Sequence, residues 1–202
     1  MIFNLSRRLL AASFGLLLAT TFAVAQAPVR VRGTIEQVDG NTLSIKAKDG
    51  ALLKLVLADN AVVVAIMRRT LDDIKKGEFV GSAATSNGDG TWTALEVHIF
   101  PESMRGTGEG HRPWEAPRSS MTNATVIDKV RAMDGHTMTL QYKGGEQKIV
   151  VTDKTPIVGY EPGDRGDLKP GKAIFVAAAT KAEDGSLRTP RINVEKTAPP
   201  PM

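Results

Sequence analysis

Polar and apolar side chains alternate along residues 42–46, with Thr42, Ser44 and Lys46 set against Leu43 and Ile45. That period of two predicts a half-buried strand. After Asp49-Gly50 the pattern resumes at Leu53, Leu55 and Leu57. Asp39-Gly40-Asn41 and Asp49-Gly50 predict tight hairpin turns, because Gly and Asn accept positive φ. Residues 70–76 are the one polar, helix-compatible stretch, with Asp72 and Asp73 suited to a first turn and Gly77 to its end. Residues 79–84 and 91–99 predict a last hairpin across Asn87-Gly88-Asp89-Gly90.

The same order then returns. Val38-Asp39-Gly40-Asn41-Thr42-Leu43 aligns with Met133-Asp134-Gly135-His136-Thr137-Met138, and Lys54-Leu55-Val56-Leu57-Ala58-Asp59 aligns with Lys148-Ile149-Val150-Val151-Thr152-Asp153. Asp73-Ile74-Lys75-Lys76-Gly77 matches Asp167-Leu168-Lys169-Pro170-Gly171, and Ala83-Ala84-Thr85 matches Ala178-Ala179-Thr180. Matches kept in one order and separated by 94 or 95 positions predict an internal duplication. Each copy reads as three meandering strands, at most a short helix, and a two-stranded hairpin. That is the strand order of an OB-type barrel, in which closure hides the sheet edges. A plain five-stranded sheet or a split sandwich would carry the same pattern. The expected fold is therefore all-β, two tandem small OB-like five-stranded barrels.

The divisions expected are a signal peptide over 1–25, a first β domain over 26–100, a linking loop over 101–122, a second β domain over 123–196 and a Pro-rich tail over 197–202. Arg7 and Arg8 precede an uncharged apolar run that ends in Ala23-Val24-Ala25, the small-x-small pattern of a cleavage site. The run is short for a bilayer span, so a cleaved leader is expected rather than an anchor. The protein is then periplasmic or secreted, with no transmembrane span in the mature chain.

Composition narrows the chemistry. Among 202 residues there is no cysteine, which excludes disulfides, thiolate metal sites and cysteine nucleophiles. The formal charge of +4 shrinks on removal of residues 1–25, which takes away Arg7 and Arg8 and no acid. So weak a field does not suit nucleic acid or anionic lipid. His98, His111 and His136 are the only imidazoles, and neither a Gly-x-Ser-x-Gly nor a His-Glu-x-x-His motif is present. No cofactor is implied. Gly106, Gly108 and Gly110 have the spacing of a phosphate loop, but Pro113 and Pro117 follow where a helix would have to start.

Two candidate sites remain. Residues 101–122 lack apolar periodicity yet carry Arg105, Glu109, His111, Arg112 and Trp114, donors and acceptors with one large ring, suited to a partner surface. A local clasp between the two barrels is the plainer use of the same residues. The alternative is a metal site built from His98, Glu109 and His111 with Met104 and Met121 nearby, a set suited to zinc or copper(I).

The run Arg105-Gly106-Thr107-Gly108-Glu109-Gly110-His111-Arg112-Pro113-Trp114, with Ser119-Ser120-Met121-Thr122-Asn123, Tyr142-Lys143-Gly144-Gly145-Glu146 and Pro200-Pro201-Met202, resembles small exported bacterial proteins containing domain of unknown function 5666. The resemblance implies an OB-like β fold, export and no assigned activity, and carries over no catalytic residue. The function expected is an exported, non-enzymatic binding protein engaging an envelope protein or a small polar ligand. The alternative is a periplasmic metal-handling accessory protein.

Overall fold

The computed structural model describes residues 27–115, 117–132 and 135–201. The expected signal peptide lies outside the described residues. The chain forms β1 (Val29–Asp39), β2 (Thr42–Ala47), β3 (Leu52–Arg69), β4 (Phe79–Ser86), β5 (Thr91–Ile99), β6 (Gly110–Pro113), β7 (Ser119–Ala132), β8 (Gly135–Tyr142), β9 (Gly145–Val151), β10 (Ile157–Pro162), β11 (Ala173–Lys181) and β12 (Leu187–Glu195). Single 3-10 turns lie at Leu71–Asp73, Glu102–Met104 and Arg165–Asp167. Among the described residues no helix is long and apolar enough to cross a membrane.

The alternation read at 42–46 is realised: Leu43 and Ile45 are fully buried while Lys46 points to solvent. The polar stretch at 70–76 closes after one turn. Asp73 Oδ2 accepts from Thr70 N at 2.7 Å and from its hydroxyl at 2.8 Å, a capping box that seals so short a helix. The second copy repeats the device, with Asp167 Oδ2 accepting from Asp164 N at 3.1 Å. Gly77 and Gly171 follow at φ 92° and 86°, a region costly for any side chain.

Two closed five-stranded barrels result. In the first, β1 pairs with β2 and β11, β2 with β3, β11 with β12, and β12 closes the ring by running parallel to β3. The second repeats the pattern with β7, β8 and β9, closed by β4 and β5, where β5 runs parallel to β9. Both have the OB order. Ile35, Leu43, Ile45, Leu55 and Ile192 fill one core; Val80, Val97, Met138, Leu140 and Ile149 fill the other.

The barrels do not follow the sequence copies. Each takes three strands from one copy and its closing hairpin from the other, so the division into contiguous units at 26–100 and 123–196 is corrected. The cause lies in β3. Ala61-Val62-Val63-Val64-Ala65-Ile66-Met67 is apolar without a break, and a strand buried on both faces reads this way. β3 therefore does not end at the barrel rim but carries the chain onward to the second barrel. There β10 pairs antiparallel with its far half, Val64 opposite Pro162 and Arg69 opposite Ile157. This two-stranded bridge joins the barrels.

The linking loop is also corrected. Residues 110–113 form β6, which adds to β7 with His111 opposite Thr122 and Arg112 opposite Met121, and β7 already begins at Ser119. Backbone pairing rather than apolar periodicity orders this stretch. The Pro-rich tail is not free either: Ala198 and Pro201 are buried.

Candidate binding seam between the barrels

The linker side chains are taken up by the chain itself. Arg105 forks onto Glu102 at 2.5 and 2.7 Å and donates to Gly77 O at 2.9 Å. Glu109 Oε1 accepts from Lys143 N at 2.9 Å, and Arg112 Nη1 donates to Gly108 O at 2.7 Å. The guanidinium groups of Arg30 and Arg112 both stand over the Trp114 ring, 5.5 and 5.8 Å from its centre, while Arg30 also meets Glu115 at 3.0 Å. Arg30 belongs to one barrel and Arg112 to a strand of the other. This is the geometry of a clasp.

His98, Glu109 and His111 are not brought together. His111 Nδ1 is 2.8 Å from Thr122 Oγ1, and its ring sits edge-on to Trp92 and stacked with Tyr142. Burial holds its pKa below the usual imidazole value. Among the described residues no group of three His, Asp or Glu side chains is placed to hold a metal ion.

His98 instead belongs to a buried row at the seam. β5 places Val97 in the barrel core, so Glu96 and His98 point outward, toward the bridge and the other barrel. They are nonetheless 7% and 5% exposed. His98 Nε2 lies 2.7 Å from Glu96 Oε1, and Tyr160 Oη lies 3.3 Å from His98 Nδ1. In the tautomer with its hydrogen on Nε2, facing Glu96, the His98 ring accepts from the Tyr160 hydroxyl at Nδ1. Burial, then the Glu96 charge, pushes the Tyr160 phenol above its ordinary value, so it stays protonated and acts as a hydrogen-bonding group rather than a nucleophile. Phe100 stacks on Tyr160 with ring centres 5.2 Å apart and 14° between planes.

Tyr160 also walls two open depressions. One, of about 390 Å³, has a charged rim of Arg69, Asp73, Glu78 and Glu102. The other, of about 360 Å³, runs between Val62, Val64, Pro101, Met104, Tyr160 and Arg191 and is mostly apolar. Val62 in it is 54% exposed, and Arg191 Nη2 reaches Met104 Sδ at 3.1 Å. By contrast, the depression on the outer face of β1–β3, lined by Gln37, Thr42, Ser44, Leu52 and Lys54, has no aromatic side chain on which a base or sugar could stack.

No motif in the sequence singles out Glu96, Tyr160, Phe100, Arg32 or Arg191 as site residues. The available signal was weak: Phe100 and Tyr160 each stand near the end of an apolar strand, where rings serve either a core or a surface. Compared with known protein families, with curated proteins and with solved structures, the chain matches none.

Proposed function

We propose that the chain is an exported, non-enzymatic binding protein whose ligand surface is the seam between its two barrels. The observation that carries this reading is the apolar groove of about 360 Å³ over Val62, Val64 and Met104, with Tyr160 in its wall and Arg191 at its rim. Concave apolar surface with a few convergent polar groups is the usual form of a binding site. An exposed Val62 beside a cationic rim suits an apolar group that bears an acceptor. The linker contributes by position, since Pro101 and Met104 form one wall while its charged residues fasten the barrels. Membership among the small exported proteins with domain of unknown function 5666 belongs to the same proposal and rests on the run from Arg105 to Trp114.

Titration with anilinonaphthalene sulfonate, a ring system carrying one anion, tests the reading. Saturable fluorescence enhancement is expected, weakened about tenfold by Arg191→Ala, as for loss of one charge-assisted contact. Met104→Ala is expected to weaken it as well. Enhancement that does not saturate, or that neither variant changes, would refute the groove as the site.

A further inference from the structure

Residues 196–201 lie against the seam in the manner of a bound peptide. The N–H groups of Lys196 and Thr197 sit 3.1 Å from Ile66 O, and Arg68 N donates to Thr197 Oγ1 at 2.8 Å. Ala198, 3% exposed, closes over Val64, Ile66 and Val158, with Tyr160 beside them. Pro199, Pro200 and Pro201 carry no N–H and cannot join a sheet; their restricted φ favours an extended, left-handed path. Pro201 is buried all the same, and Arg32 Nη1 donates to its carbonyl oxygen.

Arg32 is a costly group to place there. Its guanidinium stands 4.0 Å over the Phe175 ring, and burial lowers its pKa. A desolvated cation loses stability unless acceptors replace water. Glu96 and Glu115 act on it through space, and the Pro201 carbonyl meets it directly. A half-buried donor held over an aromatic ring and aimed at a carbonyl of a proline-rich extended segment fits the way grooves recognise such peptides. Val64 and Tyr160, which pack with Ala198, also wall the open groove. The tail and the groove share one floor.

We infer that the ligand of the seam is an extended, proline-containing peptide segment of another protein, and that residues 197–201 occupy part of that site as a displaceable strap. The inference rests on the binding function proposed above and names the ligand class. A tethered strap acts at an effective concentration on the order of millimolar. A short free peptide at micromolar concentration therefore does not displace it. A partner gains entry by engaging the open groove at Val62 and Met104 first, then exchanging its own segment for the strap.

The test uses the full chain and a dye-labelled peptide of sequence Thr-Ala-Pro-Pro-Pro, read by fluorescence anisotropy. Ala198→Asp, which unseats the strap, is expected to bind the peptide at least about tenfold more tightly than the wild type. Arg32→Gln in the same background is expected to abolish the gain, and a peptide with alanine for proline is expected not to bind. Should Ala198→Asp lose its cooperative melting, Pro201→Gly loosens only the Arg32 seat and serves in its place. Equal peptide affinity in wild type and unseated variants would overturn the strap. Absent peptide binding with sulfonate binding intact would overturn the peptide ligand alone, whereas loss of sulfonate binding in the wild type would remove the binding function beneath it.

Discussion

Ile66 and Tyr160 face one another across the antiparallel bridge of β3 and β10, and they are the same position of the two sequence copies, 94 residues apart. A residue can pair with its own counterpart only on a two-fold axis. The molecule is therefore a pseudo-dyad within one chain, and the axis passes through this pair. The flanking strands obey it: His98 beside Val158 corresponds to Asn193 beside Val64. The chemistry does not. One side carries Glu96, His98 and Tyr160, the other Arg191, Asn193 and Ile66. Symmetry sets the architecture, and departures from it define the seam.

Tyr160→Phe keeps the stacking on Phe100 and removes the hydroxyl at His98. Leaving a buried ring nitrogen without its donor should cost about 1–2 kcal/mol in urea denaturation. Tyr160→Leu should cost more, because the stacked pair is lost as well. Equal stability of Tyr160→Phe and wild type would mean the contact at His98 contributes nothing.

Leu55→Ala and Ile149→Ala should each destabilise by roughly 2–4 kcal/mol, since both side chains are fully buried, one in each barrel core. Guanidinium denaturation followed by circular dichroism measures this, and near-neutral effects at both positions would contradict the strand register.

The linker should resist trypsin. Arg105 is fixed by Glu102 and Gly77 O, so cleavage after it should be on the order of tenfold or more slower than in an unstructured peptide. Trp114→Ala should speed cutting at Arg118, next to the Ser119 carbonyl that Trp114 N holds at 3.0 Å, and cost about 1–3 kcal/mol by opening the clasp. Rapid cleavage of the wild type would argue against an ordered linker.

Acid should weaken the fold in two ranges. His111 has a pKa lowered by burial, so its contribution is present above the free imidazole value near 6.5 and falls as pH drops through it. Asp73 and Asp167 have pKa values lowered by hydrogen bonds from Thr70 and from Asp164, so theirs is present above about pH 4 and is lost below it. Melting temperature should fall gently from pH 7 to 5 and steeply below 4. His111→Gln should flatten the first range and Asp73→Asn part of the second. A melting temperature that rises between pH 7 and 5 would contradict the sign.

Intact mass of the protein recovered from the periplasm should correspond to a chain beginning at Gln26, because Ala23-Val24-Ala25 closes the apolar run. Full-length chain in the membrane fraction would overturn export of a soluble product.

Much of the fold was legible because barrel strands declare themselves locally. Leu43 and Ile45 alternate with polar neighbours, the Asp-Gly pairs mark turns, and Thr70 to Asp73 spells its own cap. The exchange of hairpins was not legible, because the two copies are alike and either hairpin has the pattern to close either barrel. Only the unbroken apolar run from Ala61 to Met67 hinted that β3 continues outward. The seam was hidden for a related reason. Glu96 and His98 occupy the outward positions of β5, which local pattern assigns to solvent, and only the packing of a second barrel buries them.

The exchange of hairpins also imposes an order in time. The second barrel is complete once residue 151 is available, whereas β1, β2 and β3 lack their closing partners until Leu187–Glu195 has been made. The meander of the first three strands keeps both barrel edges open until β11 pairs with β1, and keeps the β3 edge open until β12 is made, so the contacts that close it span most of the chain. Ring closure over so long a loop is slow compared with local pairing. The earliest strands synthesised are thus the last to find their place, and the final strand acts as the latch that ends the search.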